Sequence, residues 1–125
     1  MLVLLIEDDA DAREAVTDAL SQEGFAVAAH ADAEAALRWL ECGGSPDAIL
    51  SDHWIKGGMN GLEFRSRQRQ IAAASQIPFV LMTADDAVTG VDDPDTMTVM
   101  RKPFDLEQLR TTLRVAARQR VDLAQ

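Results

Sequence analysis

The chain has 125 residues, 47% apolar and 26% charged, with 21 acidic against 12 basic side chains and a formal net charge of −9. That balance belongs to a folded globular protein and excludes a disordered tail, while the negative charge opposes a phosphate backbone, so no direct nucleic-acid partner is expected. One domain over residues 1–125 can bury roughly two thirds of the surface that its unfolded chain exposes, and a second has no room. The lone Cys42 excludes an internal disulfide, and no Cys/His cluster has metal-ligand spacing, which suits a reducing cytoplasm. The first apolar run, Leu2–Ile6, is too short for a signal peptide or a membrane span and is followed at once by acids, so no membrane partner is expected.

Leu2–Ile6 is apolar without alternation, as expected for a strand buried on both faces of a parallel sheet. Helical spacing follows from Ala10 to Gln22, with Ala12, Val16, Ala19 and Leu20 on one face and Gly24 placed to end the helix. Phe25–Ala29 reads as a second, weaker strand. Asp32 caps a helix through Glu41 that buries Ala33, Ala36, Leu37 and Leu40, and Gly43–Gly44 with Ser45–Pro46 end it. A third strand, Asp47–Asp52, ends in a carboxylate before the loop Lys56–Gly61. Asn60 and Glu63 then have the spacing of a capping box, and a third helix is predicted from Gly61 towards Ala74. Pro78 opens a strand over Phe79–Met82 that ends at Thr83. Between Thr83 and Lys102 the alternation calls for another helix, but Gly90, Pro94 and five aspartates make it short or irregular. Thr96–Met100 is the fifth strand. Asp105 caps a last helix with a core face of Leu106, Leu109, Leu113, Ala116 and Ala117, fraying near Val121.

Strand and helix alternate five times, which predicts an α/β fold: a flavodoxin-like, doubly wound (βα)5 sandwich with a five-stranded parallel sheet and right-handed crossovers. Ligands in such sheets bind at the carboxyl ends of the strands, where the strand order reverses. The first and third strands flank that point and bring Glu7, Asp8 and Asp52 together. Three carboxylates are hard oxygen donors that suit Mg²⁺, and the metal relieves the cost of crowding like charges. A carboxylate can also attack phosphorus to form an acyl phosphate if a cation neutralises the transferring group. Lys102 supplies an ammonium ion and Thr83 a hydroxyl donor.

Leu5–Asp9, Ile49–Asp52, Leu81–Ala84 and Arg101–Phe104, in this order and at about these separations, resemble the receiver domain of two-component response regulators. The resemblance covers nearly the whole chain. It implies that Asp52 accepts a phosphoryl group from a histidine kinase or a histidine phosphotransfer protein, with Mg²⁺ required. It implies Asp8 as a direct metal ligand, Glu7 as a ligand through water, the Trp54 carbonyl as the backbone ligand, and Thr83 and Lys102 as phosphoryl-binding residues. Asp9 reads as a helix cap.

The sequence departs from the family pattern at three places. Gly61 comes nine residues after Asp52 where the family has glycine at eight, so the loop is one residue longer, and Lys56–Gly57 stand where a proline is usual. Val99 stands three before Lys102, where many receivers carry an inward-turning Tyr or Phe, so coupling from Thr83 to an aromatic switch is not available. Trp54, two residues after Asp52, flanks the phosphoryl position and is expected to hinder attacking water and slow phosphate loss.

The implied function is a single-domain receiver acting through protein contacts. Its close variants are a phosphate shuttle or sink, or a receiver of a hybrid kinase. An aspartyl-phosphate hydrolase resembling haloacid dehalogenases would need an Asp at position 54. A flavin binder would need a phosphate loop where Glu7–Asp9 stand. A phosphorylation-independent interaction module would lack one of the acids or the lysine. His53 is expected to be an exposed neighbour of Asp52, and neither it nor His30 has metal-ligand spacing. Arg110, Arg114 and Arg118 form an i, i+4, i+8 stripe, a solvated face or a docking face for an acidic partner.

Overall fold

A computed structural model describes residues 1–53, 55, 58–84 and 96–124, with side chains through Arg118. Its elements are β1 (Leu2–Ile6), α1 (Ala10–Gln22), β2 (Ala26–His30), α2 (Ala33–Glu41), β3 (Ala48–Asp52), α3 (Gly61–Gln68), β4 (Phe79–Thr83), β5 (Met97–Arg101) and α4 (Leu106–Ala124). All strand pairs are parallel, in the order β2-β1-β3-β4-β5. The chain therefore leaves β1 towards one sheet edge and, from β3, builds towards the other. The loops after β1 and β3 diverge there, and that divergence opens the crevice.

Period-two alternation along each central strand divides the core into two layers. Leu4, Ile6, Ile49, Phe79 and Leu81 pack with α2 and α3, and Val3, Leu5, Leu50, Val80 and Met82 pack with α1 and α4. Both faces are covered, which is why these strands read as unbroken apolar runs. Asp32 and Asn60 cap α2 and α3 by accepting from the Ala35 and Glu63 amides, and Glu63 completes the capping box. Asp105 accepts from the Gln108 amide at 2.8 Å at the start of α4.

Several boundaries differ from expectation. β2 and β5 each run one residue later than the sequence pattern indicates, and β3 starts at Ala48. α3 stops at Gln68 instead of continuing towards Ala74. The buried Gln68 amide donates to the carbonyls of Ala74 and Ile77, both at 2.9 Å, so the chain folds back over its own helix end in successive turns. Arg65, 1% exposed, strengthens this arrangement by donating to Gln68 Oε1 at 3.1 Å and to Thr96 Oγ1 at 2.6 Å. Leu106 is 42% exposed and not part of the α4 core face, because it sits in the first turn before the helix meets the sheet, whereas Leu109, Leu113, Ala116 and Ala117 are buried. The expected irregular helix between Thr83 and Lys102 falls on 85–95, outside the described residues. Among the described residues no helix is long and apolar enough to cross a membrane.

Candidate functional site

β1 and β3 pair with Ile6 opposite Ser51, so the next residues, Glu7 and Asp52, emerge side by side. Carboxylate oxygens of Glu7, Asp8 and Asp52 all lie within 4.8 Å of one another. With Asp9, Ala12 and Lys102 they line an open cleft of about 480 Å³. Lys102 follows β5 directly, and its amide donates to the Thr83 carbonyl at 2.9 Å, so the end of β4 sets the lysine backbone. Its Nζ lies 3.1 Å from Asp52 Oδ1. The Lys102–Pro103 peptide is cis.

Each acid is held differently. Asp52 Oδ1 also accepts the His53 amide at 3.1 Å. Glu7 is only 5% exposed; its Oε1 accepts the Asp9 amide at 3.2 Å, and its carbonyl accepts from Arg13 Nη1 at 2.9 Å. Burial pushes the Glu7 carboxyl above the usual carboxylate range, with the charges of Asp52 and Asp8 adding to the rise against the Asp9 amide and Lys102. Asp9 is the N-cap of α1, accepting from the Asp11 amide at 3.0 Å.

This arrangement suits a small, hard divalent cation. The donors are all carboxylate oxygens, one of them desolvated, and a bound cation would offset both desolvation and mutual repulsion. Among the described residues lining the cleft the only base is Lys102, placed to bridge from the Asp52 carboxylate to an anionic group arriving beside it.

Of the residues singled out in the sequence, Glu7, Asp8, Asp52 and Lys102 meet in the cleft. Thr83 closes β4 beside them, 1% exposed. Trp54, with its expected roles as a backbone metal ligand and a shield against water, lies outside the described residues, as do Lys56 and Gly57. His53 is a correction: it is 4% exposed, not an exposed neighbour of Asp52. Local pattern carries no signal for this, because β3 is buried on both faces and strand parity does not separate an enclosed side chain from an exposed one.

The arginine stripe on α4 is not simply solvated. Arg110 Nη1 pairs with Glu23 Oε2 at 2.9 Å, and the Arg114 guanidinium stands 5.7 Å from the centre of the Phe25 ring. Two further residues bear on the site: Arg13, to which the sequence reading gave no role there, and Gly61, which it noted only for its spacing from Asp52 and as the start of a helix. Arg13 grips the Glu7 carbonyl, and Gly61 presses against the strand end. A Cβ at Gly61 would stand 2.8 Å from the Asp52 carbonyl oxygen and 2.7 Å from Leu81 Cδ1, so only glycine lets α3 start this close. Its amide donates to the His53 carbonyl at 2.8 Å.

The family model for the response regulator receiver domain matches residues 3–114. The phosphate regulon transcriptional regulatory protein PhoB of Klebsiella pneumoniae is 34% identical over 124 residues, covering 93% of this chain and 51% of that protein. The chain therefore spans about half the length of this relative. Among solved structures, the N-terminal domain of a response regulator/sensory box/GGDEF 3-domain protein from Carboxydothermus hydrogenoformans superposes with a TM-score of 0.85 at 24% identity, over 100% of both chains. The receiver domain of the sensor histidine kinase PA1611 from Pseudomonas aeruginosa, described with magnesium coordinated in its active site cleft, gives 0.80 at 23% identity, covering 93% of this chain and 96% of that one.

Proposed function

The chain belongs to the response regulator receiver domain family, a phosphoacceptor domain of two-component signalling, and on that basis we propose that Asp52 is the residue that receives the phosphoryl group. The observation that carries this reading is the convergence of Asp52, Glu7, Asp8 and Lys102 on one cleft from three separate strand ends. The family takes its phosphoryl group from histidine kinases. In this chain a carboxylate oxygen of Asp52 attacks the phosphorus of a phosphohistidine as the P–N bond breaks, and the imidazole leaves with the electron pair. Glu7, Asp8, Asp52 and the Trp54 carbonyl would hold Mg²⁺. When bound, the ion neutralises charge on the transferring phosphoryl group. Lys102 stabilises the same charge from the β5 side, and Thr83 offers a hydroxyl from β4.

The donor is a histidine kinase or a histidine phosphotransfer protein, and the 125 residues act as one receiver unit in the cytoplasm. The chemistry is self-phosphorylation and self-dephosphorylation in the service of signalling and not turnover of a metabolite. Output runs through altered protein contacts. Val99 lies opposite Leu81 and packs partly buried against the α2–α3 layer, which supports an output without an aromatic switch at that position.

Intact mass after incubation with acetyl phosphate and Mg²⁺ tests the reading. One added phosphoryl group, lost with chelator and in Asp52→Asn, is the expected result. No incorporation from acetyl phosphate or phosphoramidate overturns it.

A further inference from the structure

The described part of the loop between β3 and α3 is fastened at four points. Ile55 is buried in the α2–α3 layer. The Met59 amide donates to Glu34 Oε1 at 3.2 Å, 25 residues away in sequence. Asn60 and Glu63 close the capping box, and Gly61 is seated on Asp52 and His53. Three of these fastenings come from the core or from the loop and helix themselves. Glu34 is the exception, since it reaches in from another element.

Glu34 stands in the first turn of α2, where an acid is favoured by the helix dipole alone. The dipole requires charge but does not require another backbone to close on the carboxylate. Here it does close. Gly58 has φ 131°, a left-handed conformation, and a Cβ on it would lie 2.9 Å from Glu34 Oε1. The acid therefore takes up the space that a side chain at Gly58 would fill and accepts the next amide. Two residues further on, Gly61 touches the carbonyl of Asp52, whose own carboxylate is oriented by the His53 amide. A displacement of Met59 has only Asn60 to cross before it reaches the backbone that carries the acceptor.

We propose that Glu34 is a positioning residue of the phosphoacceptor site: through the Met59 amide it holds the β3–α3 loop so that Gly61 stays seated against Asp52 and His53. The inference rests on the reading of Asp52 as the acceptor. Its test compares Mg²⁺ affinity by calorimetric titration and the rate of phosphoryl uptake from acetyl phosphate in wild type, Glu34→Gln, Glu34→Ala and Gly58→Ala. Glutamine keeps the Oε1 acceptor without the charge. Glu34→Ala and Gly58→Ala should weaken Mg²⁺ binding roughly tenfold and slow uptake, with Glu34→Gln within about twofold of wild type.

Unchanged Mg²⁺ affinity in Glu34→Ala, even with a lower melting temperature, overturns the proposal in favour of a role in α2 alone. Equal losses in Glu34→Gln and Glu34→Ala also overturn it, because charge and not hydrogen bonding would then be responsible. If Glu34→Ala does not fold, hydrogen exchange in the wild type decides: a protected Met59 amide supports the contact and a freely exchanging one overturns it. Failure of the acceptor reading itself would be separate, as absent uptake in the wild type.

Discussion

Lys102 Nζ lies 3.1 Å from Asp52 Oδ1, joining residues 50 apart in sequence from the ends of two strands that do not pair with each other. The contact gives the lysine two consequences of opposite sign. Its charge competes with a cation for the carboxylates, yet it is the basic group that lines the cleft and can receive a phosphoryl oxygen. Lys102→Ala should bind Mg²⁺ at least as tightly as wild type while taking up phosphoryl from acetyl phosphate about tenfold more slowly or worse. The side chain is 37% exposed, so solvent moderates both effects. Weaker Mg²⁺ binding, or uptake at the wild-type rate, would contradict this account of the pair.

Glu7 makes the metal-free protein pH-sensitive in a defined direction. Its carboxyl lies above the ordinary value of 4.5 in the folded state, chiefly through burial, so the folded state holds more protons than the unfolded state just above that value. Stability without Mg²⁺ should therefore fall as pH rises through the window between 4.5 and the raised value, leaving a destabilising charge above it. Mg²⁺ offsets that charge, so the rise in melting temperature on adding Mg²⁺ should be larger at neutral pH and shrink on acidification. Glu7→Gln should melt higher than wild type without metal at pH 7 and gain less from Mg²⁺. Parallel melting curves for the two proteins from pH 4.5 to 8, with and without Mg²⁺, would refute the assignment.

Gly61→Ala forces a methyl group to within 2.8 Å of the Asp52 carbonyl oxygen. Backbone must move, at a cost of about 1–3 kcal/mol. The urea midpoint should drop accordingly and Mg²⁺ affinity should fall with it, since the displaced backbone belongs to the acceptor. An unchanged midpoint would show that α3 can retreat without loss.

Arg65 is fully enclosed where α3 meets β4 and β5, its guanidinium 5.7 Å from the centre of the Phe79 ring and bonded to Gln68 and Thr96. Removing it empties a packed site and takes from the buried Gln68 Oε1 the donor it has at 3.1 Å, so Arg65→Ala should cost about 3 kcal/mol or more in chemical denaturation. A loss below about 1 kcal/mol, the range of an exposed side chain, would contradict a buried network.

Most of the fold and the acids of the site were legible in the chain alone. Unbroken apolar runs, Asp32, Asn60 and Asp105 before helical spacing, and carboxylates at strand ends are local signals, because strand burial, helix caps and strand termini each depend on a few neighbouring residues. Parallel pairing then placed Glu7 beside Asp52 with no further information. Tertiary structure alone decided what depends on distant contacts. Gln68 ends α3 early because its amide finds the carbonyls of Ala74 and Ile77, Leu106 stays outside the core because of where α4 meets the sheet, and His53 is enclosed. The fit of Gly61 on Asp52 and of Glu34 on the Met59 amide likewise has no trace in local pattern, since each is a distance between elements that packing sets.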